Sequence, residues 1–371
     1  MNKKIAIVVN NSWYAWNMRA NLGFAFQKAG YEVVFISPSD EYSEKLKKYF
    51  GYIGIKLNTK GTNPLEDIKT IYRYYRVYKE LKPDIVLHYT IKPNIYGTIA
   101  SGLLNIPSIN NIAGLGTLFI NQNFVTKIAK WLYKVSQKKA TKIFFQNNDD
   151  FKMFVNEGLV DKRKCDVLPG SGVDIEKFKP LEKKHEDGIF RFLIVSRMLW
   201  AKGIGIYAEA AKIIKNKYNN VEFQLLGHLD VASPTAISKG QMDKWVDSGL
   251  VNYLGSSDDV RVEMAKADCI VLPSYYREGT PRTLLESASM AKPIITTDNV
   301  GCRDVVENGL NGYLCEVKNA KDLAAKMEMM LNLPEYERVA MGKAGREKIV
   351  REFDEKIVID KYLKSIEEIL G

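Results

Sequence analysis

The sequence is poor in the residues that build metal and disulfide frameworks. It has three histidines and four cysteines in 371 residues. Cys165, Cys269, Cys302 and Cys315 form no C-x-x-C pair and most lie in apolar contexts, so they read as reduced structural thiols, which fits a cytoplasmic compartment. No apolar run approaches the roughly 18 to 20 residues of a membrane span. The first ten residues hold too short an apolar stretch for a signal peptide and read as a first strand. Zinc-finger spacing, a basic zipper and an aromatic RNA-binding signature are all missing, so nucleic acid ranks last among partners despite a net charge of +10. Acid is scarce in one half only: residues 1–180 hold about 27 Lys/Arg against about 15 Asp/Glu, roughly +12, and the remainder is about −2. Such a basic half suits an anionic substrate or an anionic membrane.

What is present is a soluble composition, 46% hydrophobic and 26% charged, on a chain long enough for two cores. Apolar β-type runs at 5–9, 33–36, 85–87, 108–112 and 143–145 alternate with helix-length segments. The pattern repeats at 192–195, 223–226, 252–254, 270–272 and 294–296, and residues 318–331 and 334–370 are helical. This predicts an α/β protein of two doubly wound, Rossmann-like domains whose strand ends face one cleft. The polar, unpatterned stretch 180–190 is the expected boundary, with His185 a solvated linker residue.

The most informative stretch is 271–293, a strand that runs through a Gly/Pro turn into a helix. Pro273 stops the strand, Gly279 permits a tight turn, Thr280 suits an N-cap and Pro281 the first helical position. The N–H groups of Thr280, Arg282 and Thr283 then offer an anion site such as a diphosphate needs. Glu278 precedes that site and Glu286 follows inside the helix, where carboxylates accept bonds from sugar hydroxyls. The same spacing also fits an ordinary strand-to-helix connection with two surface acids. Arg197 and Lys202, with Gly203, follow another strand and bring two cations suited to phosphate. Leu254 and Gly255 end a strand where a base can stack on backbone. In the first half, the segment with Trp13, Tyr14, Trp16 and Arg19 opens a helix, where its aromatics line a sugar or lipid-head site or simply cover the sheet end. Lys92 lies in a loop beyond a strand and can meet a phosphate, Asn111 and Gly114 belong to a third loop that lets backbone approach a ligand, and His88 reads as a structural residue.

Two helical segments raise a membrane contact. In 124–142, Lys127, Lys130, Lys134 and Lys138 share one side, with Ile128, Trp131, Leu132 and Val135 elsewhere, and 68–79 interleaves Arg73 and Arg76 with Tyr72, Tyr74, Tyr75 and Tyr78. Mixtures of this kind suit an interfacial helix on anionic lipid, and equally an amphipathic helix with its apolar face in the core.

Taken together, these motifs resemble the retaining GT-B glycosyltransferases of family 4, which include bacterial capsule, O-antigen and N-glycan assembly enzymes. Glu278 and Glu286 match the E-x7-E motif. Gly172-Val173-Asp174 through Phe178-Lys179-Pro180, Ser196-Arg197 with Lys202-Gly203, and the 301–312 segment recur in the family's order. The resemblance implies that Arg197 and Lys202 hold the donor diphosphate, completed by backbone from Gly279 through Thr280 and Pro281 to Arg282. It further implies that Glu278 binds donor-sugar hydroxyls, that Glu286 binds the ribose, and that no metal or other cofactor is needed. It divides the chain into an acceptor-binding domain (1–180), a donor-binding domain (181–352) and a last helix (353–371) that returns to the first domain. The first domain looks most like enzymes that add N-acetylgalactosamine to polyprenyl-diphosphate-linked bacillosamine. Tyr14, Trp16, Arg19, Lys92, Asn111 and Gly114 are then acceptor-binding candidates, the donor is a UDP-N-acetylhexosamine, and the protein sits peripherally on the inner face of the cytoplasmic membrane. Many relatives carry a Gly-Gly pair after the first strand and a histidine near the third loop. Here Asn10-Asn11-Ser12 and Asn111-Ile112-Ala113 stand instead, which leaves no histidine with a catalytic role. A capsule or O-antigen transferase, a UDP-sugar epimerase and a non-catalytic lipid-surface protein are the alternatives.

Overall fold

The computed structural model describes residues 2–58, 63–114, 124–182, 187–229, 231, 233 and 235–371. His185 and, in the third loop, Leu115 and Gly116 lie outside the described residues. Two compact units divide the chain: residues 1–171 with 357–371, and residues 172–356.

The first unit holds an all-parallel sheet in the order β3-β2-β1-β4-β5-β6-β7. Its strands are β1 (Lys4–Val8), β2 (Glu32–Ser37), β3 (Gly51–Gly54), β4 (Ile85–Tyr89), β5 (Ser108–Ile112), β6 (Lys142–Phe145) and β7 (Cys165–Val167). Successive side chains on a strand point to opposite faces, and β1 shows the consequence. Ile5, Ile7 and Val9 enter a core with α1 (Ser12–Lys28), and Ala6 and Val8 enter a second core with α3 (Pro64–Leu81) and α5 (Phe124–Gln137). With helices on both faces most strand positions are apolar, which is why the strands read as runs and not as alternations; β5 departs from this with Asn110 and Asn111 buried and hydrogen-bonded internally. The last helix, α13 (Glu355–Leu370), packs Val358, Tyr362 and Ile366 into the α1 core.

The second unit repeats the plan with six parallel strands in the order β10-β9-β8-β11-β12-β13. They are β8 (Phe190–Val195), β9 (Val221–Leu226), β10 (Asn252–Tyr253), β11 (Cys269–Leu272), β12 (Ile294–Thr297) and β13 (Gly312–Cys315). Phe190, Phe192 and Ile194 of β8 face one core, Leu193 and Val195 the other.

Four expectations from sequence need correction. Strands β3, β7 and β13 add to the expected set; each has only three or four residues, two of them begin on glycine, and none is fully buried. The unit boundary falls at 171/172, not in 180–190, because Val173, Ile175 and Phe178 are buried in the second unit's core. The helical stretch 334–370 is not continuous: it breaks at Phe353 and Asp354 into α12 (Glu335–Glu352) and α13, close to the start expected for the last helix, and Val173 pairs there by two backbone hydrogen bonds with Phe353 and Glu355. Thr280 is not the N-cap of α10 (Arg282–Ser289): Pro281 is, with extended backbone at φ −62° and ψ 117° and no side-chain cap.

Candidate active site

In a doubly wound sheet the strand order reverses at one pair, and a crevice opens beyond the carboxyl ends of those two strands. In the second unit that pair is β8 and β11. The segments leaving them are 196–203 and 273–282, the two stretches whose residue types point to phosphate and sugar.

Backbone approaches too close for any side chain hold these segments together. Gly203, which leads into α7 (Ile204–Lys215), has φ +80°, and a Cβ there would stand 2.0 Å from the Pro273 carbonyl oxygen. Gly227, after β9, comes equally close to the Ser196 carbonyl, where a Cβ would be 1.9 Å away. Gly301 has φ +77°, and its Cβ would lie 1.9 Å from the Gly279 carbonyl. Glycine alone tolerates both the contact and the positive φ. The N–H groups of Tyr275 and Tyr276 both donate to the Ala201 carbonyl at 3.1 Å, so the loop after β11 is folded onto the turn before α7.

This brings Lys202 and Glu278, 76 residues apart, into an ion pair with side chains only 14% and 10% exposed. Ser274 donates to the same Glu278 Oε1 at 3.0 Å, and the Lys202 ammonium lies 5.4 Å from the centre of the Tyr276 ring. The Ser274 carbonyl is held in turn by Thr297 Oγ1 at 2.6 Å and by Asn299 Nδ2 at 3.3 Å. Sequence reasoning misses Ser274, Thr297 and Asn299; Ser274 follows Pro273 directly, but nothing in the sequence marks Thr297 or Asn299. Arg197 is exposed and makes no ion pair among the described residues.

Beyond the pair, Gly279, Thr280 and Pro281 are buried and lead into α10. Arg282 Nε donates to Glu286 Oε1 at 2.8 Å one turn along the helix. Burial raises the Glu286 carboxyl above its ordinary value and the Arg282 charge partly offsets this. Leu254 packs on the second unit's core, and Gly255, at φ +76°, accepts the Gly227 N–H at 2.7 Å. The unit thus gathers three cations, two carboxylates and the N-terminal turn of a helix without a side-chain cap. That set can hold a diphosphate by charge and helix dipole and sugar hydroxyls by carboxylate.

In the first unit the reversal lies between β1 and β4, and the acceptor-binding candidates surround it, though not all on the surface. Arg19 is 2% exposed. Its Nη2 donates to Tyr14 Oη at 2.9 Å, its guanidinium lies 4.2 Å from the Tyr89 ring centre, and Nε has no partner among the described residues. Asn111 is 1% exposed, donates to Tyr362 Oη at 2.9 Å and accepts from Gln146 at 3.1 Å, so both ends of its amide are engaged internally. Lys92 pairs with Asp67 at 3.0 Å, and Trp16 stacks on Tyr49. Arg19 and Asn111 are therefore interior residues: the α1 core, closed by α13, covers side chains that their loop-side positions suggest are free. Tyr14, Trp16, Lys92 and Gly114 remain partly exposed, Gly114 with φ +79°. Thr90, directly after β4, holds φ +69°, a strained conformation for a β-branched residue, and a π-helical turn (Pro93–Gly97) follows. His88 is enclosed between Tyr78 Oη at 2.9 Å and Asn110 Oδ1 at 2.8 Å, and burial lowers it to about 4, as befits a structural histidine.

Two doubly wound parallel-sheet units, with a cation–carboxylate pair at the strand reversal of the second, are an architecture of the GT-B class. Residues 4–147 match the glycosyl transferase 4-like family and residues 189–332 the glycosyl transferases of group 1. The chain is 30% identical over 360 residues to the N,N'-diacetylbacillosaminyl-diphospho-undecaprenol alpha-1,3-N-acetylgalactosaminyltransferase of Campylobacter jejuni, covering 91% of this chain and 92% of that one. It is 28% identical to the UDP-Gal:alpha-D-GlcNAc-diphosphoundecaprenol alpha-1,3-galactosyltransferase of Escherichia coli, over 80% of this chain and 78% of the other. Among solved structures, a glycosyltransferase from Rickettsia africae superposes with a TM-score of 0.83 at 20% identity, over 100% of this chain and 99% of that one. Anabaena HepE in complex with UDP and glucose superposes at 0.77 with 16% identity, over 99% and 100%. The chain belongs to this glycosyltransferase family and has its GT-B fold.

Proposed function

We propose that the protein transfers an N-acetylhexosamine, N-acetylgalactosamine foremost, from a UDP-sugar to a polyprenyl-diphosphate-linked sugar such as diacetylbacillosamine. Transfer proceeds with retention at the anomeric carbon, without a divalent metal, on the inner face of the cytoplasmic membrane. The observation that carries this reading is the Lys202–Glu278 pair next to the first turn of α10. The names of the relatives from C. jejuni and E. coli supply the acceptor class. Arg197, Lys202 and the helix end supply positive charge where the UDP leaving group gains negative charge, a role for which fixed donors are effective in a dry site. Glu278 holds donor-sugar hydroxyls, and Glu286 the ribose. The acceptor hydroxyl attacks the anomeric carbon on the face that UDP leaves. Its proton passes to the departing phosphate oxygen.

A panel of UDP-sugars assayed against lipid-linked acceptors, with and without a chelator, tests the reading. Highest turnover with a UDP-N-acetylhexosamine on a diphosphate-linked acceptor, unchanged by chelation, and an α-linked product are expected. Chelation that abolishes turnover rejects metal independence, and a β-linked product rejects retention. A second reading, a capsule or O-antigen transferase using another UDP-sugar, is favoured by 26% identity to the capsular glycosyltransferase CapM of Staphylococcus aureus over 96% of this chain. The same panel separates the two. Interconversion of a UDP-sugar in the absence of acceptor would instead identify an epimerase.

A further inference from the structure

Helix α12 is fixed to the second unit by its small side. Its buried positions are Met341, Gly342, Gly345 and Ile349. A Cβ at Gly342 would stand 2.0 Å from the Ala291 carbonyl oxygen, so the helix backbone rests directly on the turn after α10 and the opposite face is held outward.

On that outward face Tyr336, Val339, Lys343, Glu347 and Val350 recur at spacings of three, four, four and three, which places them in one row. Tyr336 is 72% exposed, Val339 48% and Val350 42%. Beside the row a groove of about 610 Å³ runs between α12 and residues 180–181 and 290–292, lined also by the exposed Leu181. Lys343 and Glu347 are exposed and make no ion pair among the described residues, although they stand one helical turn apart. Lysine before glutamate is the weaker order for a pair within one helix, because the helix dipole opposes it. The neighbouring charges are already matched: Lys348 pairs with Glu307 at 2.8 Å and Glu352 at 3.0 Å, and Arg351 with Glu352 at 2.6 Å.

The row is its own complement. Run antiparallel against a copy of itself, with a two-fold axis between Lys343 and Glu347, it sets Lys343 against the partner's Glu347 and Glu347 against the partner's Lys343. The same register brings Val339 beside the partner's Val350, and Val350 beside the partner's Val339. Both sets of pairs hold together to within one residue, about 1.5 Å along a helix. A closed two-fold interface needs a patch of this self-complementary kind. The half of the chain that carries α12 is also close to neutral, so net charge does not keep two copies apart there. We infer that the outward face of α12 pairs with the same face of a second copy of this chain. Reciprocal Lys343–Glu347 ion pairs stand at the centre of the interface, and Val339 with Val350 packs at either end.

The inference is independent of the donor and acceptor, since no residue of this face belongs to the site. Analytical ultracentrifugation of the full chain over a range of protein concentrations tests it. The wild type should pass from one chain to two as concentration rises, without larger species, and salt should weaken the dimer. Lys343→Glu sets like charges opposite each other twice, and Glu347→Lys does so with the other sign. Each variant alone should therefore dimerise at least about tenfold more weakly. Mixed in equal amounts, the two variants regain both ion pairs, and the double variant Lys343→Glu with Glu347→Lys regains them within one kind of chain. Both should dimerise as the wild type does. Recovery in the mixture also shows that each variant is folded, and the melting temperature should be unchanged because both positions are exposed. A wild type that stays monomeric, a single variant that associates like the wild type, a mixture that stays monomeric, or growth beyond two copies overturns the inference. A different protein or a small amphiphilic anion as the occupant of this face would give the first of these outcomes.

Discussion

Replacing Lys202 by methionine keeps the length of the side chain and removes its charge, which makes it the sharpest probe of the site. Two effects are expected from one change. The buried Glu278 carboxylate loses its lysine cation, with Ser274 among the donors it keeps, so stability should fall by about 3 kcal/mol, as when one partner of a largely buried pair is deleted. Turnover should fall about a hundredfold or more, as when one fixed donor to a leaving group is lost. Stability and catalysis separate in the double variant Lys202→Met with Glu278→Gln. There no buried charge is left unpaired, so most of the stability should return, whereas turnover should stay as low as in the weaker single variant. Denaturant midpoints and initial rates with saturating donor and acceptor measure the two quantities on the same preparations. Should the double variant regain turnover together with stability, the pair is only a structural tie, and a Lys202→Met enzyme within tenfold of wild type would equally refute the diphosphate role.

The remaining predictions concern the frame around that pair. Gly203→Ala forces a Cβ against the Pro273 carbonyl and an alanine into φ +80°, so it should cost a few kcal/mol of stability and lower turnover by displacing Lys202, read by thermal melting and rate together. Burial raises Glu286, so between its ordinary 4.5 and its raised value the folded chain binds more protons than the unfolded one, and stability declines as pH rises through that window. Glu286→Gln should remove this decline in melting curves taken from pH 4.5 upward and raise the donor KM about tenfold; an unchanged KM would disconnect Glu286 from the ribose. His88 behaves in the opposite sense. The unfolded chain protonates near 6.5 and the folded one only at about 4, so about 3 kcal/mol of stability is lost as pH falls between those values, and the loss should be absent in His88→Gln.

Much of the fold is legible in the order of the amino acids. The alternation of apolar runs with helix-length segments specifies two parallel-sheet units because a strand covered on both faces is apolar at most of its positions. The strand-to-helix turn in 271–282 is legible from Pro273 and Gly279, though its cap is not, and the Glu278–Glu286 spacing singles out a candidate site. Where such a reading fails, the missing signal is nonlocal. Segments as short as β3, β7 and β13 become strands only because a neighbouring strand lends them hydrogen bonds. Arg19 and Asn111 look like free loop-side residues because their covers, Tyr14 with Tyr89 and Tyr362, are set by tertiary packing rather than by their own neighbours in the chain.

What the sequence determined alone is the kind of element at each place and the chemical groups available there, since both follow from periodicity and local backbone preference. What only the tertiary structure decided is which groups meet and which way each face turns. Lys202 reaches Glu278 because Gly203 lets one strand-end loop lie on another. Phe124, Ile128, Trp131 and Val135 of α5 have the same spacing whether they face core or solvent; in the fold they are exposed, while Gln137 on the buried side bonds to Asn110 and Asn94.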